Sequence, residues 1–271
     1  RKELLDIDYN NINKIGALSR ICGFMFGDGH IANNDLRMHF AGNAEALREA
    51  KKDLDILGYS NHSRIISRTL SNTIRGRFFE GVSTNFTLDS KALSLLLQFL
   101  GVPKGDKTVT PFYVPSFIKN GSKFVKREFL RALFGCDADK PNYKRYNFGV
   151  VALRQNKSLF LKKDILKFYK ELSKIFEEFG VDTYIKIRNL NEIRKKDNIR
   201  VFTFCLIVRP NNYNLLKFFS RIGYAYENYK IKLSRLAGEY LRHKLGIINQ
   251  WKEKSRLILL QQNSSKTNAE I

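Results

Sequence analysis

Residues 21–29 of the chain have the sequence ICGFMFGDG, and residues 130–138 have the related sequence LRALFGCDA. Both stretches are mainly apolar and both carry one acid near the end, Asp28 in the first and Asp137 in the second. The two acids are 109 residues apart (137 − 28). This repetition predicts two related halves, each containing one apolar helix that ends at a carboxylate.

Small residues interrupt both apolar stretches, Gly23 in the first and Ala132 in the second. Glycine inside a helix costs about 1 kcal/mol relative to alanine, but small residues also allow two backbones to approach closely. We therefore expect the two helices to pack as a central seam that holds Asp28 and Asp137 side by side. Adjacent carboxylates repel each other unless a cation lies between them, and oxygen ligands suit Mg²⁺. A divalent metal beside phosphate groups is suited to hydrolysing phosphodiesters.

The composition indicates a folded protein with a strongly positive surface. The 271 residues carry a formal net charge of +22, and hydrophobic residues, including 21 Phe and 12 Tyr, make up 43% of the chain. This apolar content excludes a disordered basic tail, and the charge implies a polyanionic partner. The length is sufficient for one large domain or two smaller ones.

The cysteines and the lack of long apolar runs bear on the compartment. Cys22, Cys136 and Cys205 do not have the spacing of metal ligands, and an odd number of cysteines favours a reducing, intracellular compartment, the cytoplasm or an organelle interior. No apolar run approaches 18 residues, so no membrane span is expected, and no signal peptide is visible. The first residue is Arg1, which we interpret as the start of a fragment or an excised segment.

Basic residues alternate along two predicted β-hairpins, at residues 59–88 with a turn at 71–72 and at residues 181–209 with a turn at 191–198. A hairpin with one basic face fits a DNA groove, where Arg contacts guanine or phosphates. The alternative is a solvated sheet face. We expect His62, Arg64 and Arg68 to share one face, and Lys186 and Arg188 to share another. The candidate DNA contacts of both halves are Arg37, His39, His62, Arg64, Arg68, Arg75, Arg77, Arg145, Arg154, Lys186, Arg188, Arg194 and Arg200.

The paired stretches resemble the LAGLIDADG motifs of homing endonucleases, in the single-chain form with two motifs. The first motif continues as GDGHI, as in many members, and the second is preceded by the FLRALF lead-in but has Gly135 and Ala138 at positions where an acid and a Gly are common. The resemblance covers most of the chain. It implies an α+β fold of duplicated αββαββα units, with saddle-shaped antiparallel sheets that straddle DNA and a central two-helix seam.

The resemblance also implies an activity, site-specific cleavage of both strands of a long, non-palindromic DNA target. In this interpretation Asp28 and Asp137 are catalytic and hold divalent metal together with the preceding residues, Gly27 and Cys136. Mg²⁺ is the expected ion, with Mn²⁺ or Ca²⁺ able to substitute. The expected partner is double-stranded DNA, and the protein is expected to be a monomer because one chain contains both halves.

Two lysines are further catalytic candidates. Many family members have a segment similar to residues 101–108, which holds a lysine near the active site, and this similarity points to Lys107. The duplication places Lys230 opposite it, 123 residues later (230 − 107). A lysine beside the metal site can stabilise negative charge in the transition state or orient the attacking water. A surface turn with no role in catalysis is the alternative interpretation of Lys107.

The expected domains are an N-terminal half at residues 1–110, a linker at 111–124, a C-terminal half at 125–262 and a frayed tail at 263–271. Two other functions remain open for this fold, an intron-splicing maturase with intron RNA as its partner and a regulator that binds DNA or RNA without cleaving it. A basic structural protein would not explain the duplicated acids. The sequence leaves open whether the coding region is free-standing or lies in an intron or an intein.

Overall fold

The computed structural model describes residues 11–74, 77–194 and 197–267. These residues form an α+β fold with antiparallel sheets. The first half has the predicted αββαββα order, with α1 at Ile12–Phe26, β1 at Gly29–Ile31, β2 at Met38–Ala41, α2 at Ala44–Ile56, β3 at Ile66–Ile74, β4 at Arg77–Leu88 and α3 at Lys91–Phe99.

The second half repeats this order with additions. A short helix, α4 at Ser116–Lys119, lies in the predicted linker. The elements that follow are α5 at Lys123–Asp137, β5 at Tyr143–Lys144, β6 at Asn147–Phe148, β7 at Val151–Ser158, α6 at Lys162–Glu178, β8 at Thr183–Arg194, β9 at Ile199–Val208, α7 at Asn212–Arg221 and α8 at Asn228–Thr267.

The two main sheets differ in size. The first has the strand order β1-β2-β4-β3, whereas the second has only β7-β9-β8. The prediction of four strands in each half is therefore wrong for the second half, where a single bridge between Ala138 and Leu153 takes the place of β1. The chain after α5 instead forms the separate β5–β6 hairpin. Its Tyr143 and Phe148 rings lie 5.5 and 5.7 Å from the ring of Tyr240 in α8, so the hairpin packs on that helix.

The first predicted hairpin turn is misplaced, and the second is predicted too long because part of it belongs to a strand. Ser71 and Asn72 lie inside β3, where they pair with Glu80 and Phe79. Residues 191–194 of the second predicted turn belong to β8, which has a register shift between Asn189 and Glu192. Polar residues favour turns only weakly in comparison with the pairing of two long strands, and both hairpins therefore extend further than the sequence pattern indicates.

The central seam is formed by α1 and α5, as predicted. A Cβ atom added to Gly23 would lie 2.5 Å from the carbonyl oxygen of Phe129 and 2.8 Å from Cβ of Ala132. These distances leave no space for a side chain, which confirms that the two small residues allow the backbones to approach closely.

A buried polar network ties the halves together beside the seam. The guanidinium of Arg20 in α1 donates to Asp53 in α2 at 2.6 and 2.8 Å and to Glu128 in α5 at 2.6 Å. The hydroxyl of Tyr226 donates to Asp53 at 2.6 Å. Each half thus contributes a carboxylate to one arginine, an arrangement that fixes their relative position.

Only the first part of α8 closes the second half. Ala237, Leu241 and Leu245 are buried, whereas Trp251 is 68% exposed. The helix continues to Thr267, so residues 263–267 of the predicted frayed tail are helical, and residues 268–271 lie outside the described residues. No helix in the described residues combines the length and the apolar character needed to cross a membrane.

Candidate functional site: the carboxylate pair at the end of the seam

The two acids lie together where the seam helices end. Asp137 is the last residue of α5, and Asp28 follows α1 by two residues. A Cβ atom added to Gly27 would lie 2.6 Å from Cβ of Cys136 and 3.5 Å from Cγ of Asp137, so the C-terminal ends of α1 and α5 are in contact. Partial removal of water, and then the charge of Asp137, raises the pKa of Asp28 to about 6. Burial also raises the pKa of Asp137. The pair is therefore a site of unfavourable negative charge that a cation would relieve.

Lys107 and Lys230 occupy matching positions at the ends of the two seam helices. The ammonium of Lys107 donates to the carbonyl oxygen of Gly27, before the first acid, and to that of Gly29, after it, at 2.9 Å. Lys230 donates to the carbonyl oxygens of Cys136 at 3.1 Å and Ala138 at 2.8 Å, on either side of the second acid. Burial lowers the pKa of both lysines. Each half thus holds one lysine against the end of its own motif helix.

The donor atoms fit a hard divalent cation. They are the carboxylates of Asp28 and Asp137 and the main-chain carbonyl oxygens of Gly27 and Cys136, which already accept hydrogen bonds from cationic ammonium groups. Burial raises the pKa of the Cys136 thiol well above its usual value, so its sulfur is not an available thiolate ligand. The described residues contain no cluster of three or more His, Cys, Asp or Glu side chains suited to a metal. Oxygen ligands with two carboxylates suit Mg²⁺ rather than Zn²⁺.

Sequence reasoning missed two residues of this site, Gln155 and Lys157. The amide nitrogen of Gln155 donates to Asp137 at 3.2 Å, and within the described residues its buried Oε1 has no hydrogen-bond partner. Lys157 is 3% exposed, donates to the carbonyl oxygen of Lys107, and lies 3.7 Å from the centre of the Phe112 ring. Burial, and then the charge of Lys107, lowers the pKa of Lys157 to about 7.

A cavity of about 200 Å³ opens beside Asp137 and is lined by Lys107, Gln155 and Lys157 among others. The sequence predicts a strand at residues 147–154, but β7 continues to Ser158 and carries Gln155 and Lys157 to this cavity. Polar residues at alternate positions just after the expected end were the available sequence signal. This alternation indicates that the polar residues share one face of a strand, but it does not indicate which part of the molecule that face contacts.

The surroundings of the two acids are not equivalent. In the first half Gly29 pairs with Phe40, and in the second half Ala138 pairs with Leu153. Counting two residues onward from Phe40 and Leu153 aligns Gln155 with Gly42, which has no side chain. The first acid therefore lacks the amide that contacts the second.

In the first sheet the DNA candidates do not all share a face. The strand pairings put His39, opposite Thr87, on the same face as Arg68, opposite Ser83. His62 instead pairs with Leu88 on the core face, and its ring nitrogen lies 3.2 Å from Asp55. The prediction that His62 and Arg68 share a face is wrong because β3 begins only at Ile66, so the alternation does not extend back to His62.

The other first-half candidates that the structure describes lie at the start of a strand or just outside the strands. Arg37 lies in the loop between β1 and β2, 3.2 Å from a carboxylate oxygen of Asp89. Arg64 is exposed just before β3. Arg77 pairs through its backbone with Ile74 at the start of β4, and its side chain is not among those described. Arg75 lies outside the described residues.

In the second sheet the candidates form rows across the strands. Arg154 and Lys186 both pair with Cys205, and Arg188 lies two residues further along the same face, opposite Thr203. The prediction that Lys186 and Arg188 share a face is confirmed. Arg200 is exposed opposite Ile193 at the far end of β9.

Two of the second-half arginines are paired with carboxylates, and a third lies outside the main sheet. Arg194 pairs with Asp106 at 2.7 Å and with Asp197, so it joins the tip of the second hairpin to the loop that carries Lys107. Arg154 pairs with Asp139. Arg145 lies in the exposed turn of the β5–β6 hairpin, away from the strands of the main sheet. Among the candidates on the second sheet, Lys186, Arg188 and Arg200 are exposed.

Comparison with known proteins agrees with this architecture. The model of the LAGLIDADG-like domain family matches residues 124–223, which begin next to the start of α5 and end just after α7. Residues 124–223 of this chain therefore belong to the LAGLIDADG-like domain family. The first half has the αββαββα order of elements around its own motif helix, α1.

This chain is similar to parts of several curated proteins and spans less than a quarter of the length of the three that follow. Replication factor C small subunit of Methanocaldococcus jannaschii is 40% identical over 88% of the chain, which spans 12% of that protein. tRNA-splicing ligase RtcB of Methanopyrus kandleri is 33% identical over 89% of the chain, 24% of that protein. DNA-directed RNA polymerase subunit Rpo1N of Methanocaldococcus jannaschii is 32% identical over 89% of the chain, 18% of that protein.

Among solved structures, the homing endonuclease I-WcaI bound to its DNA recognition sequence aligns with a TM-score of 0.47 and 15% identity. The alignment covers 81% of this chain and 87% of that one.

Proposed function

We propose that this chain is a site-specific double-strand DNA endonuclease that hydrolyses one phosphodiester in each strand of a long, non-palindromic target. The observation that carries the proposal is the matched pair of sites at the end of the seam. Each half supplies one helix-end carboxylate and one lysine bonded to the carbonyl oxygens on either side of it. Two related but non-identical sites fit the two antiparallel strands of a DNA duplex, one site for each strand.

The carboxylates of Asp28 and Asp137, with the carbonyl oxygens of Gly27 and Cys136, would hold Mg²⁺. When bound, the ion supplies Lewis-acid stabilisation of phosphate charge and lowers the pKa of water. Lys107 and Lys230 would stabilise the charge that accumulates on the phosphate oxygens in the transition state. Both lysines are half-buried, so their ammonium groups would act more strongly there than in open solvent because less water screens them. Gln155 would keep the Asp137 carboxylate in its orientation.

The DNA duplex would lie on the sheet faces opposite the core. The basic side chains proposed to contact it are Arg68 and His39 in the first half and Arg154, Lys186, Arg188 and Arg200 in the second. His62 is left out because it pairs with Asp55 on the core face. The net charge of +22 supports a phosphate-rich partner.

The relatives support an origin as an insert in a longer host protein. A replication factor subunit, an RNA ligase and a polymerase subunit have unrelated activities, yet a segment of about 240 residues similar to this chain recurs in each. A segment shared by such different proteins does not serve their individual activities. The chain is therefore proposed as the endonuclease of an intein, with halves at residues 1–110 and 125–262, acting as a monomer.

The test is cleavage of a randomised duplex library by the full chain, with Mg²⁺ in one arm and EDTA in the other, followed by sequencing of both ends of the products. We expect a discrete long target, with cuts in both strands that require Mg²⁺. Lys107→Met and Lys230→Met should each slow cleavage while duplex binding persists. Lys163→Met, an exposed lysine on α6, is the matched control.

Tight binding of one duplex without cleavage under Mg²⁺, Mn²⁺ and Ca²⁺ would replace the endonuclease with a DNA-binding regulator. Preference for folded intron RNA over every duplex would favour a maturase.

A further inference from the structure

An arginine-lined cleft lies on the flank of the seam, apart from the carboxylate pair. It has a volume of about 370 Å³ and is bounded by α5, the end of α7 and the first turns of α8. Five guanidinium groups from these elements line it, those of Arg127, Arg131, Arg221, Arg235 and Arg242. Arg131 and Arg127 precede Asp137 by six and ten residues of α5, about 9 and 15 Å along the helix axis. The cleft is thus set back from the cleavage site.

The positive charge of the cleft is only partly compensated. Glu128 accepts hydrogen bonds from Arg127 at 3.2 Å and Arg131 at 2.9 Å, but the same carboxylate also neutralises Arg20. Arg242 pairs with Glu239. Arg235 is exposed and makes no ion pair or hydrogen bond with any described residue. Arg131 and Arg221 also donate to the carbonyl oxygens of Tyr224 at 3.3 Å and Phe179 at 2.8 Å. An arginine carries five N–H donors, so most donors of the five side chains have no acceptor among the described residues.

Small residues keep the cleft open. Ser234 and Gly238 lie on the α8 wall, at positions one helical turn apart. A Cβ atom added to Gly238 would meet only Cβ of Phe219, at an ordinary contact distance of 3.8 Å. A side chain larger than glycine therefore fits this position sterically, and its absence preserves the space between the arginines.

We propose that this cleft is a second nucleic-acid site, which binds phosphodiester groups outside the duplex held at the carboxylate pair. Planar guanidinium groups match phosphate oxygens two at a time, and several arginines around one concavity favour a ligand with several negative charges. Flanking DNA of the same target and RNA offer the same phosphodiester chemistry. Binding in the cleft needs neither Mg²⁺ nor the two acids, so it is separable from cleavage.

The test is fluorescence anisotropy of the full chain in EDTA with three labelled probes, a 30-nucleotide oligo(dT), a 30-nucleotide oligo(U) and a 30-residue poly-glutamate, at 50–200 mM KCl. Arg235→Gln removes one charge from the cleft. Gly238→Leu keeps every charge but fills the space. Lys232→Gln is the matched control, because it removes one charge from an exposed position on the same helix that does not line the cleft.

We expect Arg235→Gln and Gly238→Leu each to weaken oligonucleotide binding about fivefold or more and Lys232→Gln less than twofold. Arg235→Gln should reduce the slope of log affinity against log salt by about 0.7, the value for one lost phosphate contact to a single strand. A preference for oligo(dT) or oligo(U) then distinguishes flanking DNA from RNA. Cleavage of the target duplex should stay unchanged in both variants.

Equal losses in Arg235→Gln and Lys232→Gln, with no effect of Gly238→Leu, would overturn the proposal, because binding would then follow overall charge. Cleft-dependent binding of poly-glutamate without oligonucleotide binding would also overturn it, in favour of an acidic protein partner. Failure to cleave any duplex leaves these oligonucleotide measurements intact, so the two proposals fail separately.

Discussion

At the scale of single residues, the acids differ most in what surrounds them. Gln155 contacts Asp137, whereas the aligned position beside Asp28 is Gly42. Loss of the amide should therefore slow the cut at one site only. We expect Gln155→Met to reduce cleavage of one strand about tenfold, a size typical of a lost orienting group near a metal, and to leave the other strand unaffected. Strand-specific labelling of a cleaved duplex would show nicked intermediates.

Gln98→Met on α3 is the matched control for the loss of a glutamine amide, because the Gln98 side chain bonds only within its own helix, to Ser94. Equal slowing of both strands by Gln155→Met would contradict the asymmetry.

Lys157 gives a second prediction at this scale, on stability against pH. Burial lowers its pKa to about 7 from the 10.5 of a free lysine. Between these two pKa values the Lys157 side chain is protonated in the unfolded chain but not in the folded chain, so the free energy of unfolding rises with pH. Below pH 7 the side chain is charged in both states, and the folded state bears the full cost of the buried charge. Lys157→Met removes this cost and also removes the hydrogen bond to the carbonyl oxygen of Lys107. The net result at pH 6 should be a free energy of unfolding higher by about 2 kcal/mol, or a Tm higher by about 5 °C.

Thermal unfolding from pH 6 to pH 10 would measure this effect, and the gain should shrink as the pH rises. Lys163→Met, at an exposed position, should show no such trend. A constant difference across the range would show that the Lys157 side chain is not a buried cation.

The sequence predicted the residues whose roles depend on local position and missed those whose roles depend on distant contacts. Asp28 and Asp137 were predicted because the duplication repeats them. Lys107 was predicted from its resemblance to a segment of family members, and Lys230 because the duplication places it opposite Lys107. Gln155 has no repeated counterpart. Its role follows from the single bridge between Ala138 and Leu153, which sets the register of β7 against the end of α5.

At the scale of elements, close packing of the seam can be tested at Gly23. Alanine has the higher helix propensity by about 1 kcal/mol, but its Cβ would lie 2.5 Å from the carbonyl oxygen of Phe129, a main-chain atom that cannot rotate away. We expect Gly23→Ala to lower the free energy of unfolding in urea by about 2 kcal/mol. Gly246→Ala in α8 meets no atom within 4 Å and should be neutral or stabilising. Stabilisation by both substitutions would mean that the helices are further apart.

Helix ends were more predictable than strand ends. A glycine directly after an amphipathic stretch predicts the end of a helix, as at Gly58 and Gly180. Both residues have positive φ, 83° and 67°, immediately after the last turn of α2 and α6. A left-handed residue at a helix end is a local requirement that glycine meets. The hairpin tips depend instead on how far two strands continue to pair, and polar residues such as Ser71 and Asn72 are compatible with either state.

At the scale of the whole molecule, the assignment of sheet faces predicts how DNA affinity responds to salt. Arg188 lies on the face opposite the core, whereas His62 lies on the core face beside Asp55. Arg188→Gln should weaken duplex binding and reduce the slope of log affinity against log salt by about 0.9. His62→Gln should change neither quantity. Affinity measured between 50 and 300 mM salt compares the two variants, and an equal effect of both would contradict the assignment.

The overall architecture was predictable because it is a duplication. The two motif helices, their seam and the αββαββα order of the first half all follow from the repeat. The second half departs where the chain between Asp137 and β7 is longer, and the extra residues form a hairpin held by Tyr240 instead of a fourth strand. Such a departure depends on aromatic contacts with α8, which lies some 100 residues later in the sequence.

The most direct test of the central claim is single-turnover cleavage of the selected duplex by Asp28→Asn and Asp137→Asn. Asp164→Asn on α6, far from the seam end in sequence, is the control. We predict that each seam variant loses double-strand cleavage by at least about 100-fold while duplex affinity stays within a few-fold, because each removes a ligand of the charge-stabilising cation. Double-strand cleavage at the parent rate by either variant would contradict the claim that the helix-end carboxylates form the active site.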